Sequence, residues 1–135
     1  MDISRDEKTL TFKKKGKSTL DSAVIKVGVE FGNPYGVTAL DYIENGFIPQ
    51  IRHTYEIEGH SGVHYREPPT EVLKDGVLWA SVSFYVDYDE LQILYVTISG
   101  ERVFILSLVS RGREQSPDEA AFEKAVDSFA IHPFL

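Results

Sequence analysis

The chain of 135 residues contains no cysteine, and this absence excludes several kinds of protein. Without thiols there is no disulfide scaffold, no cysteine nucleophile, and no zinc or iron–sulfur site built on cysteine. No apolar run reaches the ~18 residues that a membrane-spanning helix requires, and Met1–Lys17 is too polar for a signal peptide. A cysteine-free chain suits an exported protein, so we expect an extracytoplasmic location, periplasmic or at the cell surface, with any lipid anchor lying outside this sequence.

Basic residues are the minority among the charges, 14 against 21 acidic ones, for a net charge of −7. The first 26 residues carry a net charge of +3 and the remainder −10. Because such a body repels a phosphate backbone, we expect no nucleic-acid partner. The basic run Lys13–Lys17 has two interpretations, contact with an anionic lipid surface or a solvated hairpin tip, and the second is favoured.

Apolar residues make up 42% of the chain, and neither a repeat nor a linker divides it. One domain over residues 1–135 is therefore predicted, with residues 1–22 as a basic N-terminal segment. Ala23–Phe31 has the β-branched composition of a strand, with Lys26 and Glu30 on one side.

A helix is predicted to begin at Thr38, whose hydroxyl can cap the first amides. The apolar stripe expected on one side of this helix consists of Leu40, Ile43, Phe47 and Ile51. Pro49 is expected to bend the helix or to end it near Phe47. Beyond it, Thr54–Glu58 resembles a short strand and Gly59–Pro69 a polar loop.

An antiparallel meander is predicted next. Asp75-Gly76 is typical of a two-residue hairpin turn between Glu71–Lys74 and Val77–Tyr88. Leu91–Ser99 and Arg102–Ser110 continue it, and both have apolar residues on both faces, so each face needs cover. The chain ends in a helix after the capping sequence Ser116-Pro117-Asp118-Glu119. We therefore predict an α+β protein, an α/β/α sandwich whose central, mostly antiparallel sheet is covered by helices on both faces.

Three groups of residues are candidate chemical sites. Gly59-His60-Ser61-Gly62 departs from the spacing of a nucleophile elbow, and no helix signal follows it, so a flexible turn is favoured. Glu58, His60 and His64 are candidate ligands for a divalent metal, although the glycines argue against the helix that would bring the two imidazoles together. The favoured interpretation of these histidines is that they are solvated. The third group is the acidic hairpin tip of Asp87, Asp89 and Glu90, and solvated turn charges are the favoured interpretation there. We expect no catalytic residues, no metal and no cofactor.

Aromatic residues on one strand form the remaining candidate site. Trp79 and Tyr85 lie on one face of the predicted strand, and Tyr88 lies on the other. Aromatic side chains of this kind mark interfaces and ligand clefts, and they also fill the space beneath a covering helix. Both interpretations stay open for these three binding candidates.

The order of elements resembles the PsbP-like and DcrB-like group of α/β/α sandwiches. The resemblance rests on Leu40-Asp41-Tyr42-Ile43, on Ile48-Pro49, and on the closing segment Phe122…Ala125-Val126-Asp127-Ser128-Phe129. That group includes the extrinsic PsbP protein of photosystem II, bacterial lipoproteins, a Ran-binding nuclear import factor and bacterial chaperones of secreted toxins. Most of its members bind other proteins and they share no catalytic apparatus, so the resemblance transfers no catalytic residue to this chain.

The first functional hypothesis is thus a non-catalytic protein-binding module, the exported or lipid-anchored domain of a bacterial protein, binding through an open sheet face or the segment Gly59–Pro69. A cytoplasmic chaperone or adaptor that forms a homodimer through a sheet face is an alternative. A small-ligand or divalent-ion binder using Glu58, His60 and His64 is a second alternative. A hydrolase relying on Ser61 with His60 or His64 ranks last.

Overall fold

The computed structural model describes residues 2–5, 9–15, 22–31, 37–57, 63–86, 90–111 and 115–129. Within them the strands are β1 (Asp2–Arg5), β2 (Thr9–Lys15), β3 (Ser22–Phe31), β4 (Val63–Lys74), β5 (Val77–Val86), β6 (Glu90–Ser99) and β7 (Arg102–Arg111). They form one sheet in the order β1-β2-β3-β7-β6-β5-β4, and each neighbouring pair is antiparallel. The N-terminal segment is thus part of the sheet, and its lysine run begins inside β2.

The helical residues fall into two segments of the described chain. The first consists of α1 (Ala39–Asp41), a π-helical stretch (Tyr42–Phe47) and α2 (Ile48–Ile57), and the second is α3 (Gln115–Ser128). Sheet and helices together confirm the α+β class. No helix in the described residues is long and apolar enough to cross a membrane.

Two core clusters lie on opposite faces of the sheet, because successive side chains of a strand alternate between its faces. The first, which we call the Trp79 cluster, combines Trp79 and Ile93 of the strands with Phe122 and Val126 of α3. The second, the Ile43 cluster, contains the buried residues Ile43, Ile48, Ala80, Val82, Phe84, Val86, Leu94, Val96 and Val103. We name the two faces of the sheet after these clusters.

The first helical segment begins as its sequence predicts. Thr38 is the N-cap: its hydroxyl accepts a hydrogen bond from the Asp41 amide at 3.1 Å, and its own amide donates to Asp41 Oδ2 at 3.4 Å. The predicted stripe also packs as expected, with Ile43 fully buried and Leu40, Phe47 and Ile51 packed around it. Local capping and helical periodicity are sufficient to explain this start.

Of the two expectations for Pro49, an end of the helix near Phe47 is wrong, because the chain continues in α2 through Pro49 as far as Ile57. Proline removes one amide and its ring collides with the carbonyl four residues earlier in a regular α-helix. Here the π-helical stretch precedes it, and the Ile48 amide bonds to the carbonyl of Ile43, five residues back. The wider turn accommodates the ring, so Thr54–Ile57, predicted as the start of a strand, belongs to α2.

The predicted loop Gly59–Pro69 is also wrong from Val63 onward, since β4 begins there; residues 58–62 lie outside the described residues. β4 is an edge strand, and its pairing with β5 shifts register between Tyr65 and Glu67 and again between Glu67 and Thr70. Pro68 and Pro69 lie within the second shift. Edge strands and bulges are the places where a sheet tolerates proline, because no ladder hydrogen bond is lost there.

The structure confirms the predicted antiparallel meander. Asp75 and Gly76 have φ angles of 49° and 79°, as a type I′ turn requires, and they join β4 to β5. Leu91–Ser99 and Arg102–Ser110 fall within β6 and β7, which meet at a turn containing Gly100.

Candidate functional site

Of the three aromatic candidates, Trp79 lies in the core rather than on a surface. Its side chain is 1% exposed, and its ring contacts those of Tyr95 and Phe129 at centroid distances of 5.9 and 5.3 Å. Tyr85 is partly buried against the same cluster, and Tyr88 is outside the described residues. For Trp79 the structure therefore decides between the two interpretations: it fills the space beneath α3 and is not an exposed binding residue.

The candidate metal ligands are not brought together in the part of the chain that the structure describes. His64 is exposed on β4, opposite Tyr85 of β5, whereas Glu58, His60 and the neighbouring Ser61 lie outside the described residues. Among the described residues no group of three His, Cys, Asp or Glu side chains could hold a metal ion.

A cleft of about 330 Å³ opens on the Ile43 face, between the first helical segment and strands β3, β7 and β6. Its partly exposed apolar lining residues are Phe47, Ile105 and Val109, with the buried Phe84 and Leu94 beneath them. Its polar lining comes from Lys26, Glu30, Tyr42, Gln50, Gln92 and Ser107. An apolar floor with a few fixed polar groups around it is the usual composition of a binding site.

Tyr42 fixes one end of the cleft. Its hydroxyl donates a hydrogen bond of 2.9 Å to Glu30 Oε2, which joins the π-helical stretch to β3. Burial, together with the adjacent Glu30 carboxylate, raises the pKa of Tyr42 far above its usual value. The hydroxyl therefore remains a donor at neutral pH and holds the Glu30 carboxylate in place. π-helical turns of this kind are frequent at functional sites.

A chain of hydrogen bonds runs along another side of the cleft. The Gln92 amide donates to the Tyr55 hydroxyl of α2 at 2.7 Å and to Glu90 Oε2 at 2.8 Å. Glu90 also receives a 3.1 Å bond from Arg111 across the β6–β7 pair. These contacts fix the Gln92 side chain, so this wall of the cleft is preorganised.

Sequence reasoning noted that Lys26 and Glu30 share one side of β3, but it assigned them no role. It missed Tyr42 and Gln92 altogether as site residues. No local pattern marks them. Each is positioned by a side-chain hydrogen bond to a residue at least 12 positions away in sequence and on another element. The arrangement can bind a ligand by apolar contact with the floor and by charge and hydrogen bonds at the rim.

A single antiparallel sheet with helical segments packed on it defines an α+β domain, and in the described part of the chain a cleft lies between sheet and helix. More specifically, the protein has a PsbP-like fold, and two solved structures show this. The solution structure of cyanobacterial PsbP (CyanoP) from Synechocystis sp. PCC 6803 superposes with a TM-score of 0.63 at 11% identity, covering 97% of this chain and 92% of that one.

The second structure is PA94 from Pseudomonas aeruginosa, a protein of unknown function. It superposes with a TM-score of 0.66 at 10% identity, covering 96% of this chain and 87% of that one. No protein-family model and no curated protein matches the sequence. At these identities the similarity establishes the fold, as the sequence resemblance predicted, and it transfers no activity.

Proposed function

We propose that this chain is a non-catalytic protein-binding module and that a segment of its partner binds in the cleft on the Ile43 face. The observation that carries this proposal is the combination of partly exposed apolar residues, Phe47, Ile105 and Val109, with the exposed charges of Lys26 and Glu30 at the rim. Protein interfaces share this plan of an apolar centre and a polar edge.

The position of the cleft supports the same proposal. On the Ile43 face, α1 packs against β4, β5 and β6. The cleft lies beside that contact, toward β7 and β3. A partner segment that lies along these strands would occupy a cleft that is already formed, so the site would need little reorganisation on binding.

Site-specific crosslinking tests the proposal, because the chain has no cysteine and a single introduced thiol is the only labelling site. Gln50→Cys places a photo-crosslinker at the exposed edge of the cleft. Ala121→Cys places the same label on the exposed side of α3, away from the cleft, as the matched control. Both proteins are exposed to extract and membrane fraction of the source organism.

Capture of one protein by the Gln50→Cys variant, competed by unlabelled wild type and absent with the Ala121→Cys variant, is the expected result. Equal capture at both positions, or capture only at position 121, would contradict a partner site in the cleft. Circular dichroism of both labelled variants checks that the fold is retained.

A small-ligand-binding protein is the second candidate, and the size of the cleft favours it. About 330 Å³ falls within the range of small-molecule pockets, roughly 300–1,000 Å³. The two candidates differ in thermal-shift measurements on a metabolite library, since a ligand at a hundredfold excess over its Kd stabilises the protein by about 2.7 kcal/mol. Zinc and calcium in the same screen test the alternative of ion binding near His64.

The finer features of the expected architecture and setting belong to this proposal. The placement of Phe122 and Ile43 in separate clusters supports an α/β/α sandwich with helices on both faces. We further propose a bacterial, exported or lipid-anchored domain, with a cytoplasmic chaperone or adaptor as the alternative. Analytical ultracentrifugation tests the homodimer that the alternative requires.

A further inference from the structure

Three consecutive same-side positions of β3 are occupied by Lys26, Gly28 and Glu30, and the two charged residues line the cleft. They face the Ile43 cluster, because Ile25 and Val27 between them pack against the Trp79 cluster. Strand geometry separates the Cα atoms of Lys26 and Glu30 by about 13 Å, four residues at roughly 3.3 Å each. The Cα atoms that carry a positive and a negative side chain are therefore held at a fixed interval along one strand.

Gly28, between these two charged residues, contributes no side chain of its own. It pairs with Ile105 of β7, which is part of the cleft floor. A glycine inside a strand weakens the strand, and it is often found where a ligand or another backbone approaches closely. The row thus consists of a positively charged residue, a glycine and a negatively charged residue.

The two charged groups differ in how they are held. Glu30 is oriented by the hydroxyl of Tyr42, and this single bond leaves other lone pairs of the carboxylate available. Lys26 has no hydrogen-bond or ion-pair partner in the part of the chain that the structure describes. Both side chains are exposed, so each can receive a group of opposite charge from a ligand.

We propose that the cleft binds an extended segment of a partner protein that places an acidic side chain at Lys26 and a basic side chain at Glu30, with an apolar side chain between them on the cleft floor. This inference rests on the proposed function and specifies the chemistry of the partner. A helix rises only about 1.5 Å per residue, so an extended segment covers the interval with about four residues and a helix needs about nine.

Synthetic peptides of five residues test the proposal, each with leucine at the centre and charged residues at both ends. The first carries glutamate and lysine, the second two lysines, and the third two glutamates; this choice makes the outcome independent of the direction in which the peptide lies. A fourth peptide replaces the leucine of the first by serine. Kd values are measured by NMR titration at low salt for the wild type and for the variants.

Wild type is expected to prefer the first peptide. Lys26→Glu makes both ends of the site acidic and should transfer the preference to the peptide with two lysines. Glu30→Lys makes both ends basic and should transfer it to the peptide with two glutamates. An exposed ion pair contributes little to the free energy of binding, so each matched or mismatched charge should change Kd by about fivefold. The preference for the matched peptide should decrease in high salt.

Lys124→Glu on α3 and Glu71→Lys on β4 are the matched controls, since both residues are exposed and lie away from β3. They make the same charge changes and should leave the ranking of the peptides as in wild type. A ranking that shifts equally in these controls would reduce the effect to net charge and overturn the inference.

Two further results would overturn the inference without by themselves deciding the proposed function. Binding that depends on the central leucine but not on the end charges would retain the cleft as a protein-binding site and remove the charge recognition. Absence of binding by any of the peptides at millimolar concentration would also overturn the inference, and the crosslinking at position 50 would then decide the proposed function.

Discussion

Arg66 of β4 and Glu119 of α3 form two parallel hydrogen bonds, of 2.8 Å from Nη1 to Oε2 and 2.7 Å from Nη2 to Oε1. Arg66 lies at the first register shift between β4 and β5, where the strand contains one residue more than its partner. Bulges of this kind redirect a side chain, and here the guanidinium also donates to Ser83 Oγ at 3.1 Å. The bulge thus connects the edge of the sheet to α3.

A double-mutant cycle should show that this pair stabilises the fold. Because two-point arginine–carboxylate pairs are stronger than ordinary surface ion pairs, we expect a coupling free energy of about 1 kcal/mol between Arg66→Ala and Glu119→Gln. Urea unfolding followed by Trp79 fluorescence measures it. The control pair is Lys124→Ala with Glu119→Gln; coupling no larger than in this control would refute the prediction.

The same pair predicts an acid dependence of stability. Its hydrogen bond to Arg66 keeps the pKa of Glu119 below its ordinary 4.5 in the folded protein. A carboxylate whose pKa is lower in the folded than in the unfolded protein stabilises the fold at pH values above its unfolded pKa. This stabilisation is lost as the pH falls through the folded pKa. The stability difference between wild type and Glu119→Gln should therefore be constant above about pH 5.5 and shrink below 4.5. A stability difference between wild type and Glu119→Gln that grows on acidification would contradict this prediction.

Tyr95 should titrate about two units later than an exposed tyrosine. Burial, followed by the nearby Glu123 carboxylate that accepts its hydrogen bond at 3.0 Å, raises its pKa from 10.0 to about 12. Because the pKa of Tyr95 is higher in the folded than in the unfolded protein, its protonated hydroxyl stabilises the fold below pH 10, and this stabilisation is lost as the pH rises toward 12. The difference in phenolate absorbance between wild type and Tyr95→Phe measures this titration; an apparent pKa near 10 would contradict the contact.

Removal of the Phe122 side chain should be the most damaging of these changes. It is fully buried, and its ring lies 5.9 Å from that of Tyr95. Phe122→Ala leaves a cavity and should lower the free energy of unfolding by about 3–5 kcal/mol. Lys124→Ala, exposed on the same helix, should change it by less than about 0.5 kcal/mol. Equal midpoints in urea for the two variants would exclude the packing of α3 described here.

Loss of the Thr38 cap should weaken the first helical segment. Thr38→Ala removes the acceptor for the Asp41 amide and should cost about 1 kcal/mol. Thr54→Ala is the matched control, because Thr54 is exposed inside α2, where alanine is at least as good a helix former. Hydrogen exchange at the Asp41 amide should accelerate in the first variant and not in the second. Equal exchange rates in both variants would be evidence against the cap.

Features that depend on a few neighbouring residues could be predicted from the sequence. Asp75-Gly76 specifies its turn because few residue pairs accept two positive φ angles, and Thr38 specifies a cap because its hydroxyl reaches the amide three residues on. The apolar alternation of β6 and β7 indicated a sheet buried on both faces. These rules act over one turn or one strand and need no knowledge of the rest of the chain.

The sequence determined where most strands and helices begin, and that Lys26 and Glu30 share one side of β3. Only the tertiary structure decided that the helix continues past Pro49 and that Pro68 and Pro69 lie in an edge strand, since both depend on neighbours that relieve the cost of proline. It also decided that Trp79 is core and that Tyr42 holds Glu30. The free energies behind these choices come from contacts between residues distant in sequence, which no local pattern contains.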